Sequence, residues 1–302
     1  MNENMNKDQA IGMMVGLAVG DALGAYLEFS PMRSKESYIT TYQSGGPHDL
    51  AKGDYTDDTS MALALADSLI QHHGKLNVLD VARKWIAWMD KGDYSSTGHC
   101  FDIGCTTSTA LNAIKRRLER MKEFSDESKS LSCFGEQVDA MSGNGAIMRM
   151  APVIIAAKTE QDAVEMSCMQ TRITHGSETC ARFSTALARE LYQGHRIEDY
   201  NIMKLNPLTE REEVPNTGYV LHTYQAAWWA VQNTNTFEDA IITAVNLGGD
   251  ADTIGAVAGQ IAGRIYGYSA IPKHFIEHLT DANMITTYAS ELYTIANTID
   301  NK

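Results

Sequence analysis

Residues 246–266 read NLGGDADTIGAVAGQIAGRIY. Asp250-Ala251-Asp252-Thr253 packs two carboxylates and a hydroxyl into four positions. From Thr253 to Tyr266 the apolar residues recur at helical spacing. Gly255, Gly259 and Gly263 fall one turn apart, on one face of that helix. The run Gln9 to about Tyr26 repeats the device with Gly16, Gly20 and Gly24. A glycine inside a helix costs about 1 kcal/mol relative to alanine. Six of them need a compensating reason, and close backbone approach between core helices supplies it. In an apolar span the same spacing would suggest membrane dimerisation. Here Asp21 and Arg264 interrupt the longest apolar runs, so no membrane span is expected.

Working outward, most of the chain reads as helix. The periodicity predicts helices over Asp58–Gln71, Val78–Met89, Ser108–Met121, Thr159–Met169 and Ser177–Gln193. It predicts four more over Val220–Gln232, Phe237–Val245, Thr253–Tyr266 and Ala282–Thr298. Alternating strand patterns are scarce, so the expectation is an all-α fold forming one domain over 1–302. Trp85, Trp88, Trp228 and Trp229 follow helical spacing and read as core. Ser30–Tyr55 and Lys91–Thr107 are long polar loops, and such loops in a compact helical domain commonly carry function. Asn201–Gly218 reads as a surface excursion.

Bulk properties narrow the function classes. The chain has 302 residues, 44% of them hydrophobic and 21% charged, which suits a globular domain. The formal net charge of −13 leaves no basic stripe for a nucleic-acid polymer. The five cysteines form no Cys-x-x-Cys pair, which argues against a zinc ribbon or disulfide framework. Met1 to Asp8 lacks a basic region followed by an apolar stretch, so no signal peptide is read and the protein is expected in the cytoplasm.

A second acidic cluster, Thr56-Asp57-Asp58-Thr59, opens the second helix. A carboxylate before an apolar run is ordinarily an N-cap. One suffices for capping, and each cluster supplies two. If the fold brings the clusters together, four carboxylates and several hydroxyls converge, and their repulsion calls for a cation. Oxygen-only ligands favour hard cations such as Mg²⁺, Mn²⁺ or Ca²⁺.

Three other segments join them. Gly20-Asp21-Ala22-Leu23-Gly24 is followed by Glu28, and Phe101-Asp102-Ile103-Gly104 lies in a long loop. Ser142-Gly143-Asn144-Gly145 precedes Arg149, with Thr174-His175 further on. The glycine-rich turn can offer backbone amides to an anion, although most such turns are only turns. Arg149 either adds charge to that turn or pairs with a surface carboxylate.

Taken together, these five segments closely resemble the ADP-ribosylhydrolase family, of the dinitrogenase-reductase-activating glycohydrolase type. The resemblance runs from about Ala10 to about Ile271. Gly92-Asp93-Tyr94-Ser95-Ser96-Thr97-Gly98 through Gly104, and Thr217-Gly218-Tyr219-Val220, look most like bacterial enzymes acting on ADP-ribosyl-arginine. The resemblance implies an orthogonal all-α bundle with a central binuclear site for two Mg²⁺ or Mn²⁺. Its ligands by position would be Thr56, Asp57, Asp58, Asp250, Asp252 and Thr253. Asp102 would be a substrate-facing carboxyl and Glu28 a metal-proximal acid or gate, with Asp58 in the catalytic set. Either loop carboxyl is otherwise simply solvated. Ser142, Gly143, Asn144 and Gly145 would hold the pyrophosphate. His175 would line the pocket, and Tyr219 would offer adenine a platform. Asp21 would act behind the ligands, orienting them or capping a neighbouring helix.

The implied activity is removal of ADP-ribose from an ADP-ribosylated protein, most closely from arginine, releasing ADP-ribose. An ADP-ribosyltransferase toxin would be a partner if the chain serves immunity. The alternatives are a hydrolase of another linkage (serine or O-acetyl-ADP-ribose) and a non-catalytic module that binds ADP-ribose or the toxin.

Overall fold

The computed structural model describes residues 5–124, 142–194, 206 and 208–298. Cys133 and residues 201–205 and 207 lie outside them. Twelve α-helices and no strand occur among the described residues. In chain order these are α1 (Lys7–Gly24), α2 (Asp57–Gln71), α3 (Val78–Lys91), α4 (Cys105–Phe124), α5 (Ala151–Ala156) and α6 (Glu160–Thr174). They continue as α7 (Glu178–Gln193), α8 (Val220–Gln232), α9 (Phe237–Val245), α10 (Ala251–Tyr266), α11 (Lys273–His278) and α12 (Ala282–Asn297).

The glycine stripes meet each other. Helices α1 and α10 run antiparallel, with Gly12 against Gly263, Gly16 against Gly259 and Gly20 against Gly255. A methyl group on Gly20 would stand 1.9 Å from the Gly255 carbonyl oxygen, and one on Gly259 would stand 1.9 Å from that of Gly16. No side chain other than hydrogen fits such a seam. The four tryptophans are all buried, as their helical spacing leads one to expect.

Helix α1 and the 3₁₀ turn that continues it to Leu27 form a stretch of 21 residues, long and apolar enough by composition to cross a membrane. This corrects the expectation from Asp21 as an interruption. One carboxylate does not break the helix, and 89% of its most apolar 18 residues are buried inside the fold, which accounts for the apolarity.

Other boundaries move for local reasons. An Asn6/Gln9 capping box starts α1 at Lys7. The short helices α5 and α11 have too few turns to show a period; α5 carries Pro152 in its first turn, where proline is tolerated. Helix α10 starts at Ala251, which places Asp252 in its first turn.

Candidate active site: a buried carboxylate centre

The α1–α10 seam carries two acidic side chains to the start of α2. Asp21 projects from α1 and is fully buried. Its Oδ1 accepts from the Thr56 amide and hydroxyl, both at 2.9 Å. Its Oδ2 accepts from the Thr59 amide at 3.0 Å and hydroxyl at 2.6 Å. Asp21 thus caps α2 from another helix. The expected capping by the clusters' own residues is corrected. Thr56 and Asp250, at the N-cap positions of α2 and α10, make no side-chain cap bond. Their neighbours' carboxylates remain directed at the centre.

The two clusters, nearly two hundred residues apart in sequence, converge there. The Thr56 hydroxyl lies 2.9 Å from Asp21 Oδ1, 3.2 Å from Asp58 Oδ2 and 3.3 Å from Asp252 Oδ2. One oxygen from each of Asp21, Asp58 and Asp252 falls within 4.8 Å of the others. The same holds for Asp57, Asp102 and Asp252, and for Glu28, Asp250 and Asp252. Asp252 is common to all three groups. Asp58 Oδ1 and Asp252 Oδ1 are buried without a hydrogen-bond partner. Burial, then the neighbouring carboxylates, pushes the Asp57, Asp58 and Asp252 carboxyls well above their ordinary range. Burial raises Asp21 to about 6 despite its four donors.

Such a centre fits a hard divalent cation. It presents oxygen ligands only, in a number that cancels more than one charge, with orphaned lone pairs aimed inward. All six expected ligands take part in or border it. Thr253 is buried at the cleft wall, and Asp250 accepts at 2.8 Å from Asn144 Nδ2.

The centre opens into a cleft of about 780 Å³. Glu28 and Asp102 both line it, and His48 stands between them. His48 Nε2 lies 2.6 Å from Glu28 Oε2 and 3.3 Å from Asp102 Oδ1. Burial and the Asp102 charge raise Glu28 to about 8. The hydrogen bond to Asp102 and that carboxylate's charge hold His48 up to about 9. Sequence reasoning missed His48. The signal was its place in the long polar loop Ser30–Tyr55. Its partners are 20 and 54 positions away, so spacing could not reveal them.

The remaining candidates divide. Gly143, Asn144, Gly145 and His175 line the cleft. His175 is buried, its Nδ1 2.8 Å from the Thr174 hydroxyl. Burial and Arg149 push it down to about 3, so it is a neutral imidazole at physiological pH. Asn144 N donates to the Gly218 carbonyl at 3.0 Å, so that amide is not free for an anion. Ser142 points away from the cleft, its hydroxyl 2.7 Å from that of Ser177. Tyr219 bridges to Gly143 through its backbone, while its ring meets His222 edge-on at 5.2 Å. That ring is not part of the cleft wall.

Two further expectations are corrected. Arg149 neither faces an anion nor pairs with a surface carboxylate. It is fully buried, bonded to Gln170 Oε1 at 3.0 Å and the Thr174 hydroxyl at 2.7 Å. Its guanidinium stacks 3.9 Å over the Trp85 ring, so its role is to brace the core behind His175. The described part of Asn201–Gly218 is not merely surface: Asn216, Thr217 and Gly218 form one wall of the cleft.

An all-α fold with a buried oxygen-ligand centre at the base of a large cleft combines a site for a hard cation with room for a substrate beside it. The chain belongs to the ADP-ribosylglycohydrolase family, whose family model matches residues 2–301. It is 38% identical to the ADP-ribosylarginine hydrolase Tri1 of Serratia proteamaculans, over 97% of this chain and 81% of that protein. It is 30% identical to the ADP-ribosyl-[dinitrogen reductase] glycohydrolase of Rhodospirillum rubrum, over 90% of each. A solved structure described as an ADP-ribosylglycohydrolase-related protein complex superposes with a TM-score of 0.75 at 33% identity, covering 96% of this chain and 98% of its own.

Proposed function

We propose that this chain hydrolyses the bond between ribose C1″ and the guanidinium nitrogen of ADP-ribosylated arginine on a protein, releasing ADP-ribose. The observation that carries the reading is the pair of orphaned carboxylate oxygens, Asp58 Oδ1 and Asp252 Oδ1, buried at the base of a substrate-sized cleft. Similarity to two ADP-ribosylarginine hydrolases, at 38% and 35% identity, supports arginine as the linkage. Two Mg²⁺ or Mn²⁺ held by Thr56, Asp57, Asp58, Asp250, Asp252 and Thr253 are the cofactor of this reading. When bound, such ions orient the ribose hydroxyls and lower the pKa of a water so that a nucleophile exists at neutral pH.

The protein's own groups account for the rest. Bond cleavage develops positive charge on the ribose ring, and the surrounding carboxylates stabilise it. Addition of water to C1″ releases a proton, and the departing guanidine takes one up. Glu28, held near 8 and hydrogen-bonded to His48, is suited to relay that proton; Asp102 stands beside it. The neutral His175 beside Gly143 and Gly145 places a polar face on the cleft wall without adding charge.

The chain acts in this reading in the cytoplasm, on a regulated enzyme or on the victim of an ADP-ribosylating toxin. The deciding assay incubates it with ADP-ribosyl-arginine, ADP-ribosyl-serine and O-acetyl-ADP-ribose, with Mg²⁺, Mn²⁺ or EDTA. Fast release from the arginine conjugate that EDTA abolishes is expected. Undiminished release in EDTA would sink the metal reading, and preference for serine would move the linkage.

A further inference from the structure

Phe29 is placed where two physical costs coincide. The residue is 72% exposed, and its backbone lies in the left-handed region at φ 58°. A bulky non-glycine residue at positive φ is strained, and a phenyl ring in water forfeits burial. The other exposed large hydrophobics, Met169 and Leu208, are not part of the cleft wall, whereas Phe29 is. Among the described residues lining the cleft, it supplies the one phenyl, phenol or indole ring.

The surroundings hold it in that position. Phe29 N donates to the Gly249 carbonyl at 2.6 Å, and Gly249 N donates to the Ser30 carbonyl at 2.9 Å. The segment is therefore clamped to the glycine pair that precedes Asp250. Glu28 precedes the ring in sequence and lines the same cleft, as does Asp102. A single imidazole, His48, stands between those two carboxyls. An aromatic face in the same cleft as carboxyl oxygens that can accept N–H bonds is the chemistry that binds a planar, N–H-rich cation.

The geometry points to Phe29 as the residue that receives the guanidinium of the modified arginine, its ring stacked on that cation. The assignment rests on the arginine-conjugate reading above. It makes Phe29 a determinant of the linkage. A serine conjugate brings no cation to the ring, and free ADP-ribose brings nothing there.

The test uses the full chain with its divalent ion. Phe29→Leu keeps the apolar bulk and removes the π face, while Phe29→Tyr keeps the face. Phe29→Leu is expected to lower kcat/KM for ADP-ribosyl-arginine by about 3- to 30-fold, with Phe29→Tyr within about 2-fold of wild type. The inhibition constant of free ADP-ribose should stay unchanged in both. An equal loss of ADP-ribose affinity would put the ring on the nucleotide and overturn the assignment. Unchanged arginine turnover in Phe29→Leu would overturn it as well, leaving the activity standing. Wild-type protein that releases nothing from the arginine conjugate would sink the proposed activity, and this assignment with it.

Discussion

The seam between α1 and α10 has two unlike parts. From Gly12/Gly263 to Gly20/Gly255 the helices meet backbone to backbone, neutral and without side chains. At its end, Asp21 and Asp252 carry buried charge into a group of mutually repelling carboxylates. The first part is relaxed only as it stands, because any added atom collides. The second is stressed as it stands, because like charges are held out of water. The comparison teaches that the seam provides the rigidity that the acidic end requires. Carboxylates on a looser frame would swing apart; these cannot, and a cation relieves them instead.

The largest expected effect tests the acidic end. Asp252→Ala should lower turnover about a thousandfold or more, since it is common to three of the carboxylate groups. It should also raise the thermal midpoint of the chelated protein, because an unpaired buried charge is removed. Loss of both activity and stability would break the distinction between the two parts.

Next comes the neutral part. Gly20→Ala gains about 1 kcal/mol in helix propensity. The added methyl, 1.9 Å from a backbone oxygen, outweighs this by forcing two helices apart. A net loss of about 3 kcal/mol in denaturant unfolding is expected, occurring with or without divalent ion. A neutral Gly20→Ala would show that the helices slide freely and do not fix the centre.

The smallest effect is a pH dependence. Asp21 is held at about 6 and Glu28 at about 8, both above ordinary carboxyls and chiefly through burial. A raised carboxyl binds its proton more tightly folded than unfolded. Its contribution is therefore present at low pH and lost as pH rises through the folded value. The thermal midpoint of chelated protein should fall between about pH 4, where ordinary carboxyls titrate, and about pH 8, the folded value of Glu28, and saturating Mg²⁺ or Mn²⁺ should flatten the slope. An unchanged slope with ion bound would separate these carboxyls from the centre.

Much of this was legible in the residues. Glycine spacing exposed a close helix contact, and two carboxylates where a cap needs one exposed each half of the centre. Asp21, read as orienting the ligands or capping a neighbouring helix, caps α2. Other features were hidden for definite reasons. Arg149 looked available because a charged residue after a glycine turn is usually solvated, yet the Trp85 face and Gln170 hold it inside. Tyr219 looked like a platform, but it precedes a helix that turns its ring onto His222. Helices α5 and α11 were too short for periodicity to register.

The sequence alone determined the helical class, the residues that must pack without side chains and the oxygen-only chemistry of two clusters. Those are local properties: periodicity, size and ligand type are set within a few positions. Only the tertiary structure decided that the glycine helices face each other, that Thr56 stands 3.3 Å from Asp252, and that His48 joins Glu28 to Asp102. The physical reason is distance along the chain. Those partners lie from 20 positions apart (His48 and Glu28) to 251 (Gly12 and Gly263), and only the packing of the intervening helices brings their atoms into contact.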